Sequence, residues 1–144
     1  MTIAIRRQSK PRRDPGFSLI ELLVVLGILG LLAGFVAPKV VGYLSKAKSQ
    51  TATTQIDSLR STLDLFLLDT GRYPTAKAGL SALVTNDGRT PGWNGPYLGN
   101  GAVPVDPWGN AYLYALSDVG VPQITSLGAD GATGGTGDAA DIIR

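Results

Sequence analysis

The 144-residue chain contains no cysteine and no histidine. Without cysteine there is no disulfide, no zinc–thiolate centre and no thiol nucleophile. Without histidine the usual general base, the Ser-His-Asp arrangement and the commonest transition-metal ligand are excluded as well. Acid is also scarce at the start: before residue 17, Arg6, Arg7, Lys10, Arg12 and Arg13 face Asp14 alone. From Phe17 onward the chain carries 8 basic and 10 acidic side chains, so the formal charge of +2 becomes −2 if the leader is removed. That argues against nucleic acid as a partner, because phosphate binding needs a basic face. The early cations read instead as a topology signal.

Charge is missing altogether between Leu22 and Ala37, where every residue is apolar or glycine. Residues 17–37 form a 21-residue stretch with one charge, Glu21. As a helix it would reach roughly 30 Å, enough to cross a bilayer. A basic segment ahead of an apolar one also begins a secretory signal peptide, whose cut falls after the apolar region at small residues. Here Pro38 follows Ala37 directly and helical periodicity continues beyond it, which favours an anchor with its N-terminus in the cytoplasm. A carboxylate near the mouth of such a segment is costly. Glu21 either snorkels to the headgroups or awaits a cation from a neighbouring subunit.

The run "GFSLIELLVVLGILGLLAGFVAP" at residues 16–38 resembles the type IV prepilin (class III) signal. The resemblance implies that a membrane peptidase cuts between Gly16 and Phe17 and methylates the new N-terminus of Phe17. It implies too that the apolar segment stays as a polymerisation helix, with Glu21 pairing with the N-terminus of an adjacent subunit. Gly27, Gly30 and Gly34 suit either close helix approach in a membrane bundle or a segment that rearranges on assembly. Pro38 invites a kink, in a plain anchor as much as in a rearranging one.

Past Pro38, Ile56, Leu59, Leu63 and Phe66 recur at i, i+3, i+7 and i+10, one face of a 3.6-residue period. Gly71 is placed to end this helix and Pro74 to stop its continuation. Unbroken over residues 17–70 the helix would have 54 residues and a length of roughly 80 Å. "TAKAGLSALV" at 75–84 predicts a short second helix with Leu80, Leu83 and Val84 turned inward. Residues 85–110 are dense in turn dipeptides. Their aromatics Trp93, Tyr97 and Trp108 either plug a loop-rich layer over the helix or form a binding surface. "AYLYAL" (111–116) and "VPQITSL" (121–127) predict two strands joined as a hairpin by "SDVG".

The segment "SLGADGATGGTGDAADIIR" holds Asp130, Asp138 and Asp141 and five glycines from Gly128 to Gly137. Its composition fits a frayed acidic tail or a calcium loop, since hard cations take several carboxylate and carbonyl oxygens. The spacing is not that of an EF-hand. A bound ion would staple a small cysteine-free domain.

The order of "DTGRYPTAKAGLSALV", "WNGPYL", "VDPWGNAYLY" and "SLGADGATGGTGDAADI" resembles the major pseudopilins of type II secretion systems, over essentially all of residues 16–142. The resemblance implies an α+β, type IV pilin-like fold: a long N-terminal helix, a small antiparallel sheet and a C-terminal calcium-binding region. It implies three parts, a cleaved leader (1–16), a transmembrane and polymerisation helix (17–38) and a periplasmic domain (39–144). The implied calcium ligands are Asp130, Asp138 and the Leu127 carbonyl, with Asp141 contributing by side chain or carbonyl. The implied role is structural, not enzymatic: a homopolymeric pseudopilus that drives export of folded proteins across the outer membrane. Its partners would be the prepilin peptidase/methyltransferase, minor pseudopilins and an inner-membrane assembly platform. Its place would be the inner membrane, with the C-terminal domain in the periplasm. The rivals are a surface type IV pilin and a monomeric, signal-anchored calcium module. An anchored hydrolase is more distant; Asp106 with Asp118 or Asp130 could be imagined as acid and base, but their spacing does not support it.

Overall fold

The computed structural model describes residues 16–144, with the side chains of 37 and 38 excepted. The leader cations and Asp14-Pro15 lie outside the described residues. The chain divides into two compact units, Met1–Lys39 and Val40–Arg144. Helix α1, Leu19–Thr70, has 52 residues and contributes to both. Pro38, expected as a kink or break, lies within its bounds.

In the second unit α1 is rich in hydroxyls, which weaken helices by competing for the backbone. Here they are absorbed by the helix itself: Thr51, Thr53, Thr54, Ser61, Thr62 and Thr70 each donate to the carbonyl four residues back. At its end, Gly71 adopts φ +75° and donates to Leu67 O at 2.8 Å. A side chain there would force a left-handed residue, so glycine is the natural terminator.

The expected face of α1 is the core. Ile56, Leu59, Leu63 and Phe66 are buried, together with Leu80, Leu83, Tyr112 and Ile124. Each such side chain contributes about 1.5–3 kcal/mol on leaving water. Leu80 and Leu83 come from a five-residue 3₁₀ helix, Gly79–Leu83, and not from the α-helix that the leucine spacing suggests. Gly79 takes φ +57°, which breaks any α-helix begun at Thr75. Val84 is only half-buried.

Strands β1 (Leu113–Leu116), β2 (Pro122–Ser126) and β3 (Ile142–Ile143) form one antiparallel sheet in the order β1-β2-β3. The β1–β2 hairpin closes where Gly120 N donates to Ser117 O at 2.8 Å. The third strand goes beyond the two that the sequence predicts. Thr125 pairs with Ile143 and Ser126 with Ile142, so the end of the acidic glycine-rich segment returns to the sheet. Two of the three loop aromatics pack on the core. Tyr97 meets Phe66 and Trp93 edge-on at centroid distances of 5.6 and 5.7 Å. Their polar ends are anchored, with Trp93 Nε1 on Ala82 O at 2.8 Å and Tyr97 OH on Asp69 Oδ2 at 2.9 Å. Trp108 is half-buried and stands outside that cluster.

Candidate functional site

At the start of α1, Ser18 Oγ accepts from Ile20 N at 3.3 Å, and Ser18 O accepts from Leu22 N at 3.1 Å. Ser18 therefore acts as N-cap, and Glu21 falls three residues later in the capping pattern S-x-x-E. A carboxylate in the first turn also suits the helix dipole. That signal, present in "SLIE", supplies a local reason for an acid at this position beside the intersubunit one. Phe17 is 79% exposed and Glu21 is exposed. Every large apolar side chain from Phe17 to Val36 is exposed, Leu19 by 82%. Such a continuous apolar surface marks a membrane or a protein partner. Among the described residues α1 is the one helix long and apolar enough to cross a membrane.

The C-terminal loop brings two of the suspected ligand segments together. The residues beyond the Ser126–Ile142 pair are Leu127 and Asp141, so strand pairing sets them side by side. Ala129 N donates to Asp138 O at 2.8 Å. Gly128, at φ +64°, lies so close to this returning segment that a Cβ would meet Asp138 O at 2.7 Å and Ala140 O at 3.0 Å. Only glycine fits there. Asp138 Oδ1 accepts from Ser45 Oγ of α1, tying the short 3₁₀ turn Gly137–Ala139 to the helix. Asp130 Oδ1 instead accepts from Ala132 N at 3.0 Å within its own exposed turn. Among the described residues no three His, Cys, Asp or Glu side chains gather as a metal-holding group. Any cation here would depend on backbone oxygens as well.

Asp141 stands apart. Its Oδ2 accepts from Gly134 N at 2.9 Å, but Oδ1 is buried without any hydrogen-bond partner. It is the one such side-chain atom among the described residues. A buried carboxylate oxygen left open is expensive unless a proton donor or a cation completes it. The donor set fits a hard divalent cation.

Asp106, the imagined acid or base, is 3% exposed and fully engaged. Its Oδ1 accepts from Trp108 N at 3.0 Å and Asn110 N at 2.8 Å, and Oδ2 from Ser126 Oγ at 2.6 Å. Its carboxylate builds the turn "DPWGN" and ties that turn to β2 through Ser126. Burial, with the Asp106 carboxylate nearby, pushes the Tyr112 hydroxyl up to about 12. Tyr114 is also pushed up to about 12 by burial and by Tyr73. A cleft of about 260 Å³ beside the 3₁₀ helix is lined by Lys77, Asp87, Arg89 and Trp93 among others, and shares no residue with the loop.

An uncovered apolar helix segment, continuing into a helix that backs a small antiparallel sheet, defines a pilin-like protein. Comparison with known proteins narrows the class. Residues 39–144 match the family described as type II secretion system, protein G, and residues 11–37 match the prokaryotic N-terminal methylation motif. The type II secretion system core protein G of Vibrio cholerae is 44% identical, over 92% of this chain and 92% of its own length. That of Pseudomonas aeruginosa is 42% identical over 91% and 94%. The crystal structure of the major pseudopilin of enterohaemorrhagic Escherichia coli superposes with a TM-score of 0.60 at 33% identity, covering 72% of this chain and 91% of that one. The chain belongs to the type II secretion system protein G family.

Proposed function

We propose that this chain is the major structural subunit of a type II secretion pseudopilus. The peptidase cuts between Gly16 and Phe17 and methylates Phe17. The apolar half of α1 (17–38) holds the product in the inner membrane, with residues 39–144 in the periplasm. Assembly moves that half from lipid into a bundle of its own copies, where Glu21 meets the α-ammonium of a neighbour. Minor pseudopilins and an inner-membrane platform then organise a homopolymer that drives folded proteins outward. The observation that carries this reading is the uncovered apolar surface of residues 17–36 joined to a protein G head. It ranks above a surface pilus or a monomeric module because residues 39–144 match the type II secretion protein G family and the relatives similar over most of the chain are core proteins G of that system.

The C-terminal loop is read as a calcium site. Leu127 by its carbonyl, and Asp130, Asp138 and Asp141, are the residues that would hold the ion. The open Oδ1 of Asp141 supports this. A bound cation would supply the charge that joins the two sides of the loop.

The test of the filament reading is mass spectrometry of the chain recovered from a bacterium with a working secretion machine, beside electron microscopy of sheared fibres. The expected product begins at N-methylated Phe17 and forms fibres. A chain still beginning at Met1, or cut after Ala37, overturns it.

A further inference from the structure

The turn at residues 106–110 does more than close a strand end. Asp106 N donates to Asn110 O at 2.8 Å, pairing the two ends of the turn. From this fixed base two connections run to a single residue. Asn110 Nδ2 donates to Gly128 O at 2.7 Å, and Ser126 Oγ, held by Asp106 Oδ2, accepts from Gly128 N at 3.4 Å. The Asn110 amide oxygen also lies 3.3 Å from where a Cβ of Gly131 would stand. Gly128 sits between Leu127 and Asp130, two of the proposed cation ligands, and carries a left-handed backbone. Both its N–H and its carbonyl are thus fixed from outside the loop.

We infer that Asn110 and the Asp106–Ser126 pair are positioning residues for the cation loop. By holding the Gly128 N–H and carbonyl they fix the two peptide planes that flank it, and with them the direction of the Leu127 carbonyl and the path of the chain to Asp130. The inference rests on the cation reading of that loop. Outer partners of this kind set ligand direction without touching the ion.

The experiment uses the full chain in detergent micelles, with calcium chloride as probe and thermal unfolding as readout across a calcium titration. Wild type, Asn110→Ala, Ser126→Ala and Tyr114→Phe are compared. Tyr114→Phe removes a bond to Pro74 O, which is unconnected with the loop. Asn110→Ala should raise the half-stabilising calcium concentration about tenfold or more, while saturating calcium still stabilises it. Ser126→Ala should act in the same direction and supplies the answer if Asn110→Ala does not fold. Tyr114→Phe should lower the unfolding temperature equally at every calcium concentration, with the half-point unmoved. If the loop variants behave like Tyr114→Phe, the positioning role is refuted while the site stands. If wild type shows no calcium response, the site itself is refuted and the positioning role with it.

Discussion

Replacing Asp141 by asparagine should change the sign of its effect with the calcium concentration. Without the ion, wild type holds a carboxylate whose Oδ1 is buried and unpaired while Oδ2 accepts from Gly134 N. An orphaned buried polar atom costs about 1–3 kcal/mol, and a hydrogen bond to a charged acceptor contributes about 1.5–3 kcal/mol. The amide introduced by Asp141→Asn would keep an acceptor for Gly134 N and remove the buried charge. In chelator, the variant should therefore unfold within about 1 kcal/mol of wild type, or be slightly more stable. With calcium at about a hundredfold excess over its dissociation constant, wild type gains about 2.7 kcal/mol that the variant lacks. For a head of the size of Val40–Arg144, that gap corresponds to about 10–20 °C in Tm. Differential scanning fluorimetry of the two proteins, in chelator and in calcium, reads the difference directly. An equal loss of stability in both conditions would refute the reasoning, because Asp141 would then be a plain cap for the Gly134 turn.

Glu21→Ala should leave the head folded but reduce fibre yield at least about tenfold, since breaking a buried pair strands the remaining charge; negative-stain counts of sheared fibres check this. Leu63→Ala, at a fully buried position, should cost about 2–5 kcal/mol in thermal or urea unfolding. Leu65→Ala, 53% exposed on the same helix, should stay within about 1 kcal/mol. Tyr112 and Tyr114 should ionise near pH 12 in the folded protein, above the usual 10. Because the folded values are raised, their contribution to stability is complete below pH 10 and is lost as pH climbs toward 12. An ultraviolet titration with both tyrosines ionising near 10 in folded protein would contradict this.

What can be read in the chain tracks how local its cause is. The face Ile56–Leu59–Leu63–Phe66 is legible because a single period writes it into the sequence. The Gly71 stop and the "SDVG" hairpin are legible for the same reason. The 3₁₀ helix at Gly79–Leu83 reads as a longer α-helix, since the periodic leucines mask a glycine that adopts a positive φ. Strand β3 has two residues and no alternation to betray it; its existence depends on β2 offering an edge. The C-terminal acids can be named from composition, but not that Asp130 turns aside while Asp141 is left with a buried open oxygen. The role of Asp106 is the most deeply hidden. An Asp-Pro pair signals a turn, yet its partner Ser126 lies 20 residues away. The cap at Ser18, by contrast, is local and stands open in "SLIE", where the charge of Glu21 draws the eye first.

The shortness of β3 has a consequence for association. Its two residues cover one side of β2, whose other side is held by β1. The segment after Ser126 supplies only Ile142, half-buried, to the core, so its attachment rests mainly on hydrogen bonds such as those between Arg144 and Ile124 and between Asn110 and Gly128, and the packing of Ile56, Leu63 and Ile124 does not depend on it. Local opening of this segment would uncover the backbone groups of Ile124–Ser126 that now face residues 142–144, a ready template for another extended chain. The contacts that hold residues 127–144 to β2 and α1 are therefore also contacts that keep this sheet edge covered.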